Sequence, residues 1–161
     1  MILRVLSIGV ATTISCASPG HADSICGGLK SLLADARNEF KKFKGDYDFE
    51  RNEYRGRLVL GSLNRCSWDS GKGVSTYECS RDLPDDEDRA RRLASDAANE
   101  IERCFGNSVR RRPHPVPSVS SYDYLPTEDP IEVRYRCTRP KRGDPYCYVS
   151  LDITRVDENQ Q

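Results

Sequence analysis

Residues 131–156 read IEVRYRCTRPKRGDPYCYVSLDITRV, and this stretch decides the fold class. Apolar and polar residues alternate on both sides of a turn at 139–145, which predicts two antiparallel strands. Each strand then has one apolar face and one polar face, so the sheet is expected to bury only one side. The side chains expected to point inward are Ile131, Val133, Tyr135, Cys137, Cys147, Val149, Leu151 and Ile153.

Two amphipathic helices are predicted before this pair of strands. Residues 25–44 and 84–105 place apolar side chains three and four positions apart, with charged residues between them. The acidic run 85–88 favours the start of the second helix, because negative charge is stabilising near a helix N-terminus. The segment 110–117 contains alternating prolines and is predicted to be an extended connector.

Shorter strands complete the predicted sheet. Alternating residues and turn clusters predict strands at 54–60, 65–68 and 74–80, and 118–125 is ambiguous between strand and loop. The resulting order, αβββα(β)ββ, predicts one α+β domain over residues 23–156. It is expected to be an antiparallel sheet of five to six strands with both helices packed on one face and with three disulfides. Residues 157–161 are predicted to form a polar tail.

Residues 1–22 are typical of a secretory signal peptide. A short apolar stretch precedes Gly20 and Ala22, which form the small–x–small pattern of a cleavage site, and cleavage after Ala17 is the alternative. A lipid anchor on Cys16 is disfavoured, because the residues before Cys16 lack the expected leucine. The sequence therefore predicts a secreted or periplasmic protein.

Cysteine usage agrees with export. The chain has seven cysteines, and removal of the leader takes away Cys16 and leaves an even number. Exported proteins meet oxidising conditions in which thiols pair, and bridges would stabilise a protein whose full chain is only 37% hydrophobic. The positions of the remaining cysteines on the predicted elements favour the pairs Cys26–Cys104, Cys66–Cys79 and Cys137–Cys147. A zinc site is disfavoured because no two cysteines lie two to four residues apart, and no metal or cofactor is predicted.

Composition and motifs narrow the function. Formal net charge is zero, which argues against nucleic-acid binding, and no apolar run is long enough to span a membrane. The sequence lacks a glycine-rich phosphate loop, a Ser-x-x-Lys motif and paired histidines, so no catalytic residues are predicted. Glu132 and Asp152 fall on the polar face of neighbouring strands, and a small secreted hydrolase that uses this carboxylate pair is the alternative function.

The leading hypothesis is an exported, disulfide-stabilised, non-enzymatic binding module. It would dock another envelope or extracellular protein as an inhibitor, immunity or accessory factor. Exposed aromatic and arginine side chains suit such an interface and an acidic partner, although a charged face and a linker also explain them. The candidate binding surface consists of Tyr146, Tyr148, Arg134, Arg136, Arg110, Arg111 and Arg112. The tripeptide Arg142-Gly143-Asp144, which integrin ligands use, is explained by ordinary turn composition.

Overall fold

The computed structural model describes residues 24–139 and 144–156. Its helices and strands, in chain order, are α1 (Ile25–Asp35), β1 (Lys44–Asp48), β2 (Glu53–Gly56), β3 (Arg65–Gly71), β4 (Val74–Pro84), α2 (Glu87–Phe105), β5 (Val109–Arg112), β6 (Val119–Tyr124), β7 (Asp129–Thr138) and β8 (Tyr146–Val156). Within these residues the eight strands form one antiparallel sheet, in the order β1-β2-β3-β4-β8-β7-β6-β5. The long strands β4, β8 and β7 lie next to one another at the centre of the sheet, so β8 of the β7–β8 hairpin also pairs with β4.

The prediction of five to six strands is wrong, because the described residues form eight. β5 lies largely in the segment predicted to be a connector. It ends at Arg112, before the first proline at Pro113, so its backbone N–H groups are free to pair with β6. β1 occupies residues predicted to belong to the first helix and a loop, and it pairs with β2 at the sheet edge.

The first helix is shorter than predicted. α1 ends at Asp35 rather than at residue 44. The chain tightens there into a 3₁₀ turn, and the left-handed backbone of Glu39 and Phe40, with φ of 58° and 57°, prevents the helix from resuming. Two 3₁₀ turns, Ala36–Asn38 and Lys41–Phe43, continue the chain and still bury Phe40 completely. The apolar spacing is therefore satisfied by successive turns instead of by one continuous helix.

The second helix begins at Glu87 rather than at residue 84. β4 extends to Pro84, which lies opposite Tyr146 of β8. The residue predicted to begin the helix is therefore the last residue of a strand. The Asp86 side chain caps the helix by accepting a hydrogen bond from the Arg89 N–H.

The core lies between the helices and the apolar face of the sheet. α1 and α2 contact each other, and their buried side chains join those of the central strands in one cluster. On β8 the predicted inward residues Cys147, Val149, Leu151 and Ile153 are all 1% exposed or less. The polar side chains that alternate with them therefore face the opposite side of the sheet.

The three predicted cysteine pairs are the disulfides that the structure contains. Cys26–Cys104 joins the beginning of α1 to the end of α2, across 78 residues of sequence. Cys66–Cys79 and Cys137–Cys147 each join residues that lie directly opposite on neighbouring strands. Three intramolecular disulfides are typical of extracellular or periplasmic proteins.

Tyr77 anchors the chain between β2 and β3 to the sheet. Its ring is completely buried, and its hydroxyl accepts a hydrogen bond from the Leu58 N–H at 2.9 Å and donates one to the Leu58 carbonyl at 2.8 Å. Burial raises the pKa of Tyr77 to about 12. A Cβ atom at Gly56 would lie 2.4 Å from this hydroxyl, so the close approach of β2 requires glycine there.

We expect Tyr77→Phe to lower the free energy of unfolding by about 1–3 kcal/mol, because both Leu58 backbone groups lose their partner. Urea denaturation measures the change. Tyr124→Phe is the matched control, since its hydroxyl makes no hydrogen bond within the described residues and the expected loss is below about 0.5 kcal/mol. Equal losses in the two variants would show that the Leu58 bonds do not contribute to stability.

Candidate functional site

The face of the sheet opposite the core is the candidate site, and we call it the open face. It presents the polar side chains of the central strands, which the register aligns in rows across the sheet. Glu78 of β4 lies directly opposite Asp152 of β8, and Asp152 lies directly opposite Glu132 of β7. Three carboxyl groups therefore stand side by side on adjacent strands.

Arg134 connects two of these carboxylates. One of its terminal nitrogens lies 2.8 Å from Glu132 Oε2 and 2.8 Å from Asp152 Oδ2. Asp152 is only 8% exposed, and its other oxygen, Oδ1, has no hydrogen-bond partner within the described residues. The Nε atom of Arg134 is also buried without a partner. Two buried polar atoms of this row thus lack a hydrogen-bond partner among the described residues.

Burial is the main cause of the raised pKa values of the carboxyl groups in this row. It raises the pKa of Asp152 to about 7, with the charge of Glu78 adding to the effect and Arg134 opposing it. Burial likewise raises the pKa of Glu78, against the pull of Arg134 and with a contribution from Glu53 in the same direction. Both shifts therefore come mainly from the removal of these carboxyl groups from water, and the neighbouring charges modify them in opposite directions.

A polar cavity of about 340 Å³ adjoins the row at Glu78. It is lined by Arg51, Glu53, Arg65, Ser67, Glu78 and Ser80, and we call it the Glu53/Glu78 cavity. Arg65 forms a salt bridge with Asp82. Neither Glu53 nor Glu78 forms a salt bridge with any of the described residues, although Arg51 and Arg65 share the cavity wall and the charges of Arg65 and Arg134 lower the pKa of Glu78 against the effect of burial.

The structure brings three of the predicted surface residues together at one end of the open face. Arg136 of β7 lies directly opposite Tyr148 of β8. Tyr146 precedes Tyr148 by two residues and therefore lies on the same side of β8. Arg136 is exposed and forms no salt bridge within the described residues, and Tyr146 is 46% exposed. We call this group the Arg136/Tyr patch.

The three consecutive arginines of the predicted surface, residues 110–112, form salt bridges within the chain. Arg110 and Arg112 lie on the edge strand β5 and both pair with Asp123, at 3.0 Å and 3.1 Å. Arg111 points to the helix side of the sheet, where it lies 3.6 Å from Glu102 of α2. The run of three arginines therefore divides between two faces and does not form one basic patch.

Sequence reasoning did not single out the cavity residues. The alternation of side chains along β3 and β4 could have identified two of them. Cys66 and Cys79 face the core, and the next pair in the register, Ser67 and Glu78, must therefore face away from it. The cavity also needs Glu53, whose strand β2 is only four residues long and carries no clear periodicity.

Some predicted features lie outside the described residues, namely the leader at 1–22 with Cys16, the tail at 157–161, and Arg142 and Gly143 of the Arg-Gly-Asp tripeptide. In the part of the chain that is described, no helix is long and apolar enough to cross a membrane. Across residues 24–139 and 144–156, no group of three or more His, Cys, Asp or Glu side chains is arranged to hold a metal ion.

Comparison with protein-family models, with curated proteins and with solved structures finds no significant match to this chain. Any statement of its function therefore rests on the geometry of the open face.

Proposed function

We propose that this protein is an exported, non-enzymatic binding module that docks another extracellular or envelope protein through its open face. In this proposal it acts as an inhibitor, immunity or accessory factor. The observation that carries the proposal is the Arg136/Tyr patch, in which exposed Tyr146, half-buried Tyr148 and Arg136, which has no salt bridge to any described residue, lie on one surface. Tyrosine and arginine are, with tryptophan, the residues most enriched among those that dominate the affinity of protein interfaces.

The partner is expected to present an acidic surface to this patch. The Arg136 guanidinium is exposed and has no carboxylate partner within the described residues, so an acidic group of another protein can pair with it without displacing an existing bond. The three disulfides support export to an oxidising compartment, and the partner is therefore expected to be an extracellular or envelope protein.

The disulfide Cys137–Cys147 supports the patch from the other side of the sheet. It joins the two residues that lie between Arg136/Tyr148 and Thr138/Tyr146 in the register of β7 and β8. Because the strands are covalently joined at this point, little backbone freedom is lost when a partner binds. Such pre-organisation lowers the entropic cost of association.

Hydrolysis by a carboxylate pair is the second candidate function. Its supporting observations are the direct opposition of Glu132 and Asp152 and a pKa of Asp152 of about 7, which suits a general acid. Against it, Arg134 engages both carboxylates, and Asp152 is buried and does not line the Glu53/Glu78 cavity. A substrate would not reach the proton of Asp152, so docking is the better-supported proposal.

Photo-crosslinking tests the docking proposal. With p-benzoylphenylalanine in place of Tyr146 in the full chain, expressed in the cells that produce it, we expect one saturable adduct with an exported protein. The same substitution at Arg92, exposed on α2, is the matched control and is expected to give no such adduct. Arg136→Glu should abolish the Tyr146 adduct by charge repulsion, whereas Arg92→Glu should leave it intact. Similar adducts from both positions, or an adduct insensitive to Arg136→Glu, would refute the proposal.

A further inference from the structure

We infer that the Glu53/Glu78 cavity is a socket for a single positively charged side chain, arginine or lysine, of the docked protein. This inference rests on the proposed function and deepens it, since it names the chemical group that the partner inserts into the open face. The partner would then use an acidic group at the Arg136/Tyr patch and a basic group at the cavity.

The charge balance around the cavity is the first argument. Arg65 is neutralised by Asp82, and Arg134 is shared between Glu132 and Asp152. The remaining charges of the cavity wall are Arg51, Glu53 and Glu78. One inserted cation would balance this excess of carboxylate and would relieve the repulsion between Glu53 and Glu78.

Asp152 does not line the cavity, but it extends the carboxylate row behind Glu78. It lies directly opposite Glu78 on the next strand, is 8% exposed, and leaves its Oδ1 atom without a hydrogen-bond partner within the described residues. A buried carboxyl group with an unsatisfied oxygen is costly to maintain in the free protein. A cation at Glu78 would stabilise the charge of Asp152 as well, because the two carboxyl groups influence each other.

The shape and lining of the cavity suit one side chain. A volume of about 340 Å³ is at the lower end for ligand sites, and the lining is mainly polar. The hydroxyls of Ser67 and Ser80 stand beside Glu78 and can accept hydrogen bonds from a guanidinium or ammonium group.

The cavity and the patch are close enough for one partner. Ser80 of the cavity lies two residues from Asp82 on β4, and Asp82 lies directly opposite Tyr148 of the patch. Both features belong to the same face of adjacent strands. A protein that covers the patch therefore also covers the mouth of the cavity.

An NMR titration with a small cation tests the socket. The probe is N-acetyl-L-arginine amide, and N-acetyl-L-citrulline amide is its neutral control of nearly the same shape. In the full, disulfide-bonded chain we expect saturable shifts of the Ser67, Glu78 and Ser80 amide signals with the arginine probe only. Glu78→Gln and Glu53→Gln should each weaken the interaction at least about 10-fold, whereas Glu50→Gln, in an exposed loop, should leave it unchanged.

Glu78→Gln and Glu53→Gln are both measured so that the test does not depend on the folding of one variant. Either variant that retains the native NMR spectrum is sufficient to test the socket. Equal shifts with the citrulline probe, or arginine binding unchanged in a folded Glu78→Gln or Glu53→Gln variant, would overturn the socket. If the Tyr146 adduct forms while the arginine probe fails, the socket is wrong and the docking function stands. If the probe binds and no adduct forms, the cavity binds a cation but the docking function is wrong, and the socket for a side chain of a docked protein is overturned with it.

Discussion

Removal of the Cys26–Cys104 disulfide by the double substitution Cys26→Ala/Cys104→Ala is expected to lower the free energy of unfolding by about 4 kcal/mol. The bridge closes 78 residues of sequence, so it removes much conformational freedom from the unfolded chain. It also holds α1 to α2, and thereby keeps both helices on the apolar face of the sheet. Urea denaturation of the two oxidised proteins at the same pH measures the loss.

The matched control is the double substitution Cys137→Ala/Cys147→Ala. This bridge spans only 10 residues between strands that are already paired, and the expected loss is about 3 kcal/mol. A loss from the Cys26–Cys104 pair that does not exceed the loss from the control would contradict the chain-entropy explanation.

The second large effect is expected at Asp152, whose pKa of about 7 in the folded protein exceeds its ordinary value of 3.8. The folded state binds this proton more tightly than the unfolded state does. The stability that protonation contributes is therefore complete below pH 3.8 and is lost as the pH rises to about 7, at up to about 1.4 kcal/mol per pH unit. The charged groups that face Asp152 are Glu78 from β4 and Glu132 and Arg134 from β7.

Asp152→Asn is expected to remove this decline, because the amide stays neutral at every pH. The variant should be more stable than the unsubstituted protein by about 2–4 kcal/mol at pH 8, and close to it at pH 3.5. Urea denaturation at several pH values between 3.5 and 8 measures the difference. Asp96→Asn, on the exposed side of α2, should leave the pH profile unchanged. Parallel profiles for Asp152→Asn and the unsubstituted protein would show that the Asp152 carboxyl is not destabilising when ionised.

The parts of the fold that sequence reasoning predicted are those encoded by local periodicity. The alternation in β7 and β8 assigned Val133, Leu151 and Ile153 to the core, and all three are buried. The same alternation places Tyr148 and Arg136 on the opposite face. Alternation around a turn also predicted the pairs Cys66–Cys79 and Cys137–Cys147, each of which joins opposite residues of a hairpin. Cys26 and Cys104 were the two that remained, at the ends of the two predicted helices.

The parts that sequence reasoning missed are short edge strands and element boundaries. β1 and β5 have five and four residues, too few for a period to be distinct, and they become strands because β2 and β6 offer backbone partners. The apolar spacing did not predict the change to a 3₁₀ turn after Asp35 or the left-handed backbone of Glu39 and Phe40, because neither is a residue type that favours positive φ.

The amino-acid sequence by itself determined the faces of the long strands, the apolar stripes of the helices and the cysteine framework, because each depends on spacing along the chain. Only the tertiary structure decided which strands are neighbours. The placement of β4 beside β8 sets Glu78 against Asp152, and the placement of β7 on the other side adds Glu132 and Arg134. The high pKa of Asp152 arises from that assembly, because burial and the neighbouring charges come from strands that are far apart in sequence.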